Sequence, residues 1–266
     1  MPKRCLPSIA AAFVLAASVS SAQPPAPRPV FEEFDVATIK PSDPKLVGRF
    51  LRMQSANRFV ARNYTLKYMI GAAYNLTPRS ISGGPAWSDS DRYEILALTP
   101  GEVKPNPDEQ MTMLRKLLAD RFKLAFHREP KTLPIYALTI AKDVMKLKKS
   151  DPAKDDAQPD LVNVVYPEHV SLPARNATMP QFTSMLQSPV LDRPVVDRTG
   201  LVGKYDFDLE WTPDETQFGG QLPRPAEPNR PGLFAALQQQ LGLRMEATRG
   251  TIDTLVIDRA ERPAEN

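Results

Sequence analysis

Apolar residues recur along this chain in the two spacings typical of amphipathic helices and of half-buried strands. Residues 66–74 carry apolar side chains at helical spacing, and Thr65 in front of them supplies a hydroxyl for the open amide groups. A second helix is predicted after Asn106, with Pro107 at the first helical position and Glu109 at the third.

The second half of the chain follows the same order. Thr178-Met179-Pro180-Gln181 has the spacing of a capping box and predicts a third helix. A fourth is predicted over 233–241, where Gly242 ends the apolar stripe. Between them, Tyr205–Trp211 places four large apolar side chains on one face and three acids on the other, which predicts a strand with one buried face.

Two further pairs of apolar segments have strand length. Phe122–Phe126 and Leu133–Ala141 are separated by a Pro-Lys turn, which predicts a hairpin. Leu243–Ala247 and Thr254–Ile257 predict another hairpin at the end of the chain. Mixed strands and helices joined by hairpins indicate an α+β fold, with helices packed on mainly antiparallel sheets.

A short sequence pattern occurs twice. Ala61-Arg62-Asn63-Tyr64-Thr65-Leu66 returns as Ala174-Arg175-Asn176-Ala177-Thr178-Met179, and Thr99-Pro100 returns as Thr212-Pro213 at the same spacing. Self-similarity of this kind indicates one supersecondary unit used twice. We therefore expect two tandem pseudo-repeats, 31–145 and 161–263, joined by a charged linker over 146–160.

The first residues have the features of a secretory signal peptide. Lys3 and Arg4 precede the apolar stretch Ile9–Ala17, and Ser20-Ser21-Ala22 forms a small-residue cleavage site. We expect a signal peptide over 1–22, a proline-rich spacer over 23–30, and an exported protein in the periplasm or outside the cell.

Charge and composition narrow the function classes. The chain has 34 basic and 31 acidic residues and no basic block, so nucleic acid is not an expected partner. No apolar run reaches the roughly 20 residues of a transmembrane helix. His127 and His169 have no other ligand types at metal-binding spacing, so we expect no metal and no cofactor.

Three residues are the candidates for binding: Gly83, Gly84 and Trp87. Ser82-Gly83-Gly84 is followed by Pro85-Ala86-Trp87 instead of by a helix start, which argues against a phosphate cradle and favours a tight turn. Trp87 is expected to plug the core or to contact a ligand.

No residue set reaches a catalytic signature. Ser42 and Lys45 have the Ser-x-x-Lys spacing of penicillin-recognising enzymes, but prolines flank them, so a surface turn is expected. The acid–base candidates are Asp43, Asp89, Asp91, Asp120 and His127.

Several stretches carry a resemblance to a known family. These are Phe34–Ser42, Ile81–Trp87, Leu118–Leu124, Arg193–Leu201, Gly203–Phe207, Val256–Asp258 and Glu261–Pro263. In them the chain resembles an exported soil-bacterial family of uncharacterised proteins that is expanded in acidobacteria. Some relatives carry this region behind a membrane metallopeptidase domain of the antirepressor type, which implies a sensing role by analogy, and the resemblance implies no catalytic residues.

We therefore expect an exported, non-enzymatic module that binds a protein, a peptide or a cell-wall fragment. Two alternatives stay open: a carboxylate-dependent hydrolase that uses both halves, and an extracytoplasmic sensor module. A hydrolase predicts one pocket in which at least two of the acid–base candidates converge. A binding module predicts an exposed groove or a free sheet edge instead.

Overall fold

The computed structural model describes residues 28–46, 48–141, 145–154, 159–220, 222, 225 and 228–264. The expected signal peptide and residues 23–27 of the expected spacer lie outside these residues. Within them, thirteen strands form: β1 Val36–Pro41, β2 Phe50–Met53, β3 Arg58–Thr65, β4 Ile81–Gly83, β5 Arg92–Leu98, β6 Ala125–Ile140, β7 Lys148–Lys149, β8 Asp160–Leu161, β9 Val164–Val165, β10 Val170–Thr178, β11 Val195–Asp197, β12 Lys204–Trp211 and β13 Leu243–Arg259. The described helices are α1 Leu66–Tyr74, α2 Trp87–Ser90, α3 Pro107–Arg121, α4 Met179–Met185 and α5 Leu233–Ala236.

These strands form three sheets. The first has the order β1-β5-β3-β2, and the second has the order β7-β12-β10-β8 with β9 also paired to β10. In the third, β11-β6-β13-β4, the long strands β6 and β13 are antiparallel, while β11 and β4 run parallel to their neighbours at opposite ends. The expected α+β class with mainly antiparallel sheets is confirmed. None of the described helices has the length and apolar character needed to cross a membrane.

The capping signals predicted the helix starts correctly. The Thr65 hydroxyl accepts the Tyr68 amide at the start of α1, and Asn106 and Thr178 form capping boxes before α3 and α4. The last two helical segments widen, because Leu186–Val190 and Leu237–Leu241 continue α4 and α5 with π-type turns. Gly242 then ends the second of these with a φ of 69°.

The two predicted short hairpins are wrong. β6 runs through Pro130 and Pro134 without a turn, and β13 is likewise continuous, so the two strands pair with each other from Ala125–Arg259 to Ile140–Leu243. The Tyr136 amide donates to the carbonyl of Pro194, just before β11, and the Leu138 carbonyl accepts the Arg198 amide, so even-numbered residues of β6 direct their backbone groups away from β13. Pro130 and Pro134 therefore lack an N–H only on the edge of β6 that faces away from β13. On that edge β11 pairs only with residues 136–138 of β6, so no ladder bond is lost at either proline.

Each half of the chain closes its core with a strand from the other half. Leu255 and Ile257 of β13 are buried among the side chains of α1, α3 and the first sheet. Tyr136 and Leu138 of β6 are buried among those of α4, α5 and the second sheet. The β6–β13 ribbon thus joins two hydrophobic clusters into one interlocked structure.

The segment expected to be a charged linker carries structure in its described part. Leu147 is buried in the second cluster, and Lys148–Lys149 pairs with β12 at the edge of the second sheet. Pro152–Lys154 forms a single helical turn, and residues 155–158 lie outside the described residues. The expected domain boundaries stay predictions.

Strand β12 has the predicted inward and outward faces. Tyr205, Phe207, Leu209 and Trp211 are all buried, and Asp208 is exposed. Asp206 departs from the expectation that all three acids lie in water. Its carboxylate accepts the Ser150 hydroxyl at 2.6 Å and the Asn176 amide at 2.8 Å, and these two donors lower its pKa.

We expect Phe207→Ala to lower the free energy of unfolding by about 3–5 kcal/mol, because it empties a buried aromatic site. Asp208→Ala, one residue along the same strand, is the matched control and should change it by less than about 0.5 kcal/mol. Urea melts measure both. The reverse order of the two variants would mean that the aromatic face is turned outward.

Asp206→Asn should cost about 1 kcal/mol at pH 7, since it removes the charge from two hydrogen bonds. A carboxyl whose pKa is lowered on folding stabilises the protein above its unfolded pKa, and this stability is lost as the pH falls through the folded pKa. The gap between wild type and variant should therefore begin to narrow below about pH 4 and close as the pH falls through the lowered pKa of Asp206. Melts of Asp208→Asn at pH 7 and in acid are the control. A stability gap between wild type and Asp206→Asn that persists in acid would contradict the lowered pKa of Asp206.

Candidate functional site

The two candidate glycines, Gly83 and Gly84, lie where β4 runs closely against β13. Both have positive φ angles, 73° and 77°. A Cβ atom on Gly83 would lie 2.7 Å from the Ile257 carbonyl oxygen, and one on Gly84 would lie 3.1 Å from the Ile257 side chain. The approach of this backbone to β13 therefore explains both glycines.

Trp87 begins the short helix α2, so the expectation that no helix start follows the glycines is wrong. Its partly buried ring lies 6.4 Å from the Tyr93 ring and stacks at 6.5 Å on Phe122. The Arg262 guanidinium carbon also lies over this ring, 5.3 Å from its centre. Trp87 thus packs against the first core and contacts a cation as well.

Arg262 belongs to a pocket beside this tryptophan, which we call the C-terminal pocket. It has a volume of about 510 Å³ and lies between the end of β1, the start of β5 and the chain after β13. Its lining residues are Ile39, Lys40, Pro41, Ser42, Asp43, Pro44, Ser90, Asp91, Arg92, Tyr93, Arg262 and Pro263. A volume of this size is in the range of small-molecule and peptide sites.

Arg262 is the best-defined polar group of the C-terminal pocket. Its Nε donates to the Asp91 carboxylate at 2.9 Å, while its side chain is still 61% exposed. The Glu261 amide donates to the Phe122 carbonyl at 2.7 Å and so fixes the chain just before Arg262. Burial raises the pKa of the neighbouring Tyr93 hydroxyl, the Asp91 charge adds to this rise, and the Arg262 charge opposes it.

The Ser42–Lys45 segment forms the wall of the pocket at the end of β1. The Asp43 carboxylate accepts the Lys45 backbone amide at 2.9 Å, which holds the segment as a turn. The turn predicted for the Ser-x-x-Lys segment is therefore confirmed. The Ser42 hydroxyl oxygen is buried and has no hydrogen-bond partner among the described residues.

The remaining acid–base candidates lie outside this pocket, each with its own contact. Asp89 pairs with Lys67 at 2.7 Å, and Asp120 pairs with Lys116 at 3.0 Å. His127 lies 2.8 Å from the Asp258 carboxylate, and the His169 ring stacks on Tyr166 at 4.7 Å. In the described part of the chain no three His, Cys, Asp or Glu side chains group in a way that could hold a metal ion.

The pocket thus brings together two of the five acid–base candidates, Asp43 and Asp91. The sequence reasoning missed Arg262 and Tyr93 as pocket residues, because the pocket is assembled from segments far apart in the chain. The one available signal was Glu261-Arg262-Pro263, which carried part of the family resemblance but no role.

The fold and the pocket define an α+β protein with interlocked sheets and an open, mixed polar and apolar pocket. The family described as Protein of unknown function (DUF3738) matches residues 67–260, and the chain belongs to this family. The match includes Asp91 and Tyr93, whereas Asp43 and Arg262 lie outside it. Searches of curated proteins and of solved structures gave no match.

The structural account of Gly83 can be tested by comparing Gly83→Ala with Gly200→Ala. Both glycines have similar positive φ angles, but nothing lies within 4 Å of a Cβ at Gly200. Gly200→Ala should cost about 1–2 kcal/mol of unfolding free energy from backbone strain. Gly83→Ala should cost roughly 1–3 kcal/mol more, from overpacking against Ile257. Equal losses in thermal melts would show that the approach to β13 does not require glycine.

Proposed function

We propose that the chain is an exported, non-enzymatic binding module whose C-terminal pocket holds a peptide or a cell-wall peptide fragment through its free carboxylate. The observation that carries the proposal is the Arg262 guanidinium, held between the Trp87 ring and the Asp91 carboxylate at the pocket wall. Export rests on the signal-peptide pattern of residues 1–22.

A peptide carboxylate fits this wall for two reasons. The contact with Asp91 uses the Nε of Arg262, and the Tyr93 hydroxyl is a further hydrogen-bond partner, so the remaining terminal N–H groups are left for a carboxylate. The other walls combine ring and proline surfaces, from Tyr93, Pro41 and Pro263, with the charged side chains of Lys40 and Arg92. Such a lining suits a short chain with alternating apolar and hydrogen-bonding groups.

The contacts of the pocket favour binding over hydrolysis. The oxygens of Asp91 are engaged by Arg262 and by the Ser90 hydroxyl at 3.2 Å, and Asp43 accepts the Lys45 amide. A serine nucleophile needs a base that is itself oriented by a third group, and no histidine lines this pocket. The hydrolase alternative retains one argument, namely that Asp43 and Asp91 share the pocket.

We also propose that the two halves derive from one duplicated unit. β3 and β10 each contain a bulge with a left-handed asparagine, Asn63 at a φ of 61° and Asn176 at 55°. A threonine cap and a helix follow each bulge, and then a short strand, β4 or β11, that runs parallel to one strand of the ribbon. A superposition that placed α1 and α4 on different faces of their sheets would contradict the duplication.

The binding proposal predicts that the purified chain enriches tetrapeptides with free C termini from a mixed library, but not the same library after C-terminal amidation. Arg262→Gln should weaken this binding at least tenfold, because it removes the charge that holds the carboxylate. Arg259→Gln is the matched control, since Arg259 pairs with Glu261 on the same segment and does not line the pocket. Affinity selection with mass spectrometry and calorimetry of the enriched peptides measure the effect.

Soluble muropeptides form the second arm of the experiment, and their binding in preference to the library would identify the cell wall as the source. Equal enrichment of free and amidated peptides, or no effect of Arg262→Gln, would overturn the proposal. Cleaved peptides that disappear in Asp43→Asn and Asp91→Asn would establish the hydrolase in its place.

A further inference from the structure

A second cavity lies where the two halves of the chain meet, and we call it the junction cavity. It has a volume of about 220 Å³ and shares no lining residue with the C-terminal pocket. The first half contributes Arg49, the end of β3, α1 and the turn after α1, and the second half contributes the wide turn after α4, Asp192, Thr216 and Gly219. The charged residues of its lining are Arg49, Arg79 and Asp192.

Arg49 is the unusual group of the junction cavity. Its guanidinium carbon lies 3.9 Å above the Tyr68 ring and 6.0 Å from the centre of the Tyr64 ring. Arg49 is half-buried, and no carboxylate pairs with it in the part of the chain that the structure describes. Arg79, by contrast, has Asp192 at 3.4 Å. The cavity therefore holds two guanidinium groups and one carboxylate.

Stacking on an aromatic ring positions an arginine for anion binding. The ring covers one face of the guanidinium, while the N–H donors point outward in the plane of the group and stay available. A half-buried cation without a counter-charge is costly, and an anionic ligand offsets this cost. Burial raises the pKa of the Tyr64 hydroxyl while the Arg49 charge lowers it, so the charge is felt inside the cavity.

We propose that the junction cavity is a binding site for an oxyanion, a carboxylate or a phosphate, carried on a compact apolar body. Arg49 provides the fork for the anion, and Arg79, which also lines the cavity, is the second cation. Leu76, Pro78 and Leu191 provide the apolar wall for the body of the ligand. This proposal does not depend on the C-terminal pocket.

A ligand in this cavity would touch both halves at the point where they are already bonded. The Gln187 amide donates to the Asn75 carbonyl at 2.8 Å, and the Ser184 hydroxyl donates to the Asn75 side chain at 2.7 Å. Because the ligand binds only the assembled junction, its binding should raise the melting temperature of the whole chain.

The test uses calorimetry of the full chain with four probes in a low-salt chloride buffer: benzoate, phenyl phosphate, inorganic phosphate and benzamide. Benzamide has the shape of benzoate without the charge. We expect saturable binding of benzoate or of phenyl phosphate that weakens with added salt, and binding of benzamide at least tenfold weaker. The stronger of the two organic anions identifies carboxylate or phosphate as the natural group.

Arg49→Gln should weaken anion binding at least tenfold, and Arg49→Lys should recover only part of it, since lysine keeps the charge but lacks the planar fork. Arg52→Gln is the control, because Arg52 lies over the Phe50 ring of the same strand, β2, and does not line the cavity. Circular dichroism verifies that each variant is folded.

Three outcomes would overturn the proposal: no saturable binding of any anion, benzamide binding as strong as benzoate binding, or an Arg49→Gln variant that binds like wild type. Binding of benzoate that is lost in Arg262→Gln but kept in Arg49→Gln would place the anion in the C-terminal pocket and also count against it. Failure of the tetrapeptide experiment would leave these readouts unaffected.

Discussion

The antiparallel pairing of β6 with β13 is the constraint on which the rest of the structure depends. β6 belongs to the first half of the chain and β13 to the second, yet the C-terminal part of each strand lies in the hydrophobic cluster of the other half. Leu255 and Ile257 complete the first cluster, and Tyr136 and Leu138 complete the second. Separating the ribbon would therefore open two cores at once, so the two halves should unfold as one cooperative unit.

This pairing also determines the order in which the fold can form. β13 follows β6 by more than a hundred residues of chain, so a large loop must close before the ribbon's contacts contribute. The local elements do not share this cost, because α1 and α3 carry their own caps and the β10–β12 pair is short in sequence separation. Local structure followed by late closure of the ribbon is the physical expectation.

The sequence predicted those features whose causes are local. Thr65, Asn106 and Thr178 bond amide groups three residues away, and the alternation in β12 reflects burial on one face. It failed at Pro130, where a turn was predicted, because a proline breaks a strand only on a paired edge and the edge pairing of β6 is decided by distant residues. Arg262 and Arg49 escaped notice for the same reason, since their cavities join segments far apart in the chain.

Both cavities can be traced back to the ribbon. β13 carries the chain past the first core, where the bond from Glu261 to Phe122 fixes Arg262 against Trp87. At the junction, the ribbon holds α1 and α4 close enough for Asn75 to bond Ser184 and Gln187. The two arginines differ in their partners. Arg262 is paired with the Asp91 carboxylate, which offsets its charge, whereas Arg49 is stacked on the neutral ring of Tyr68. A ligand with polar groups along its length suits the first arrangement, and a single compact anion suits the second.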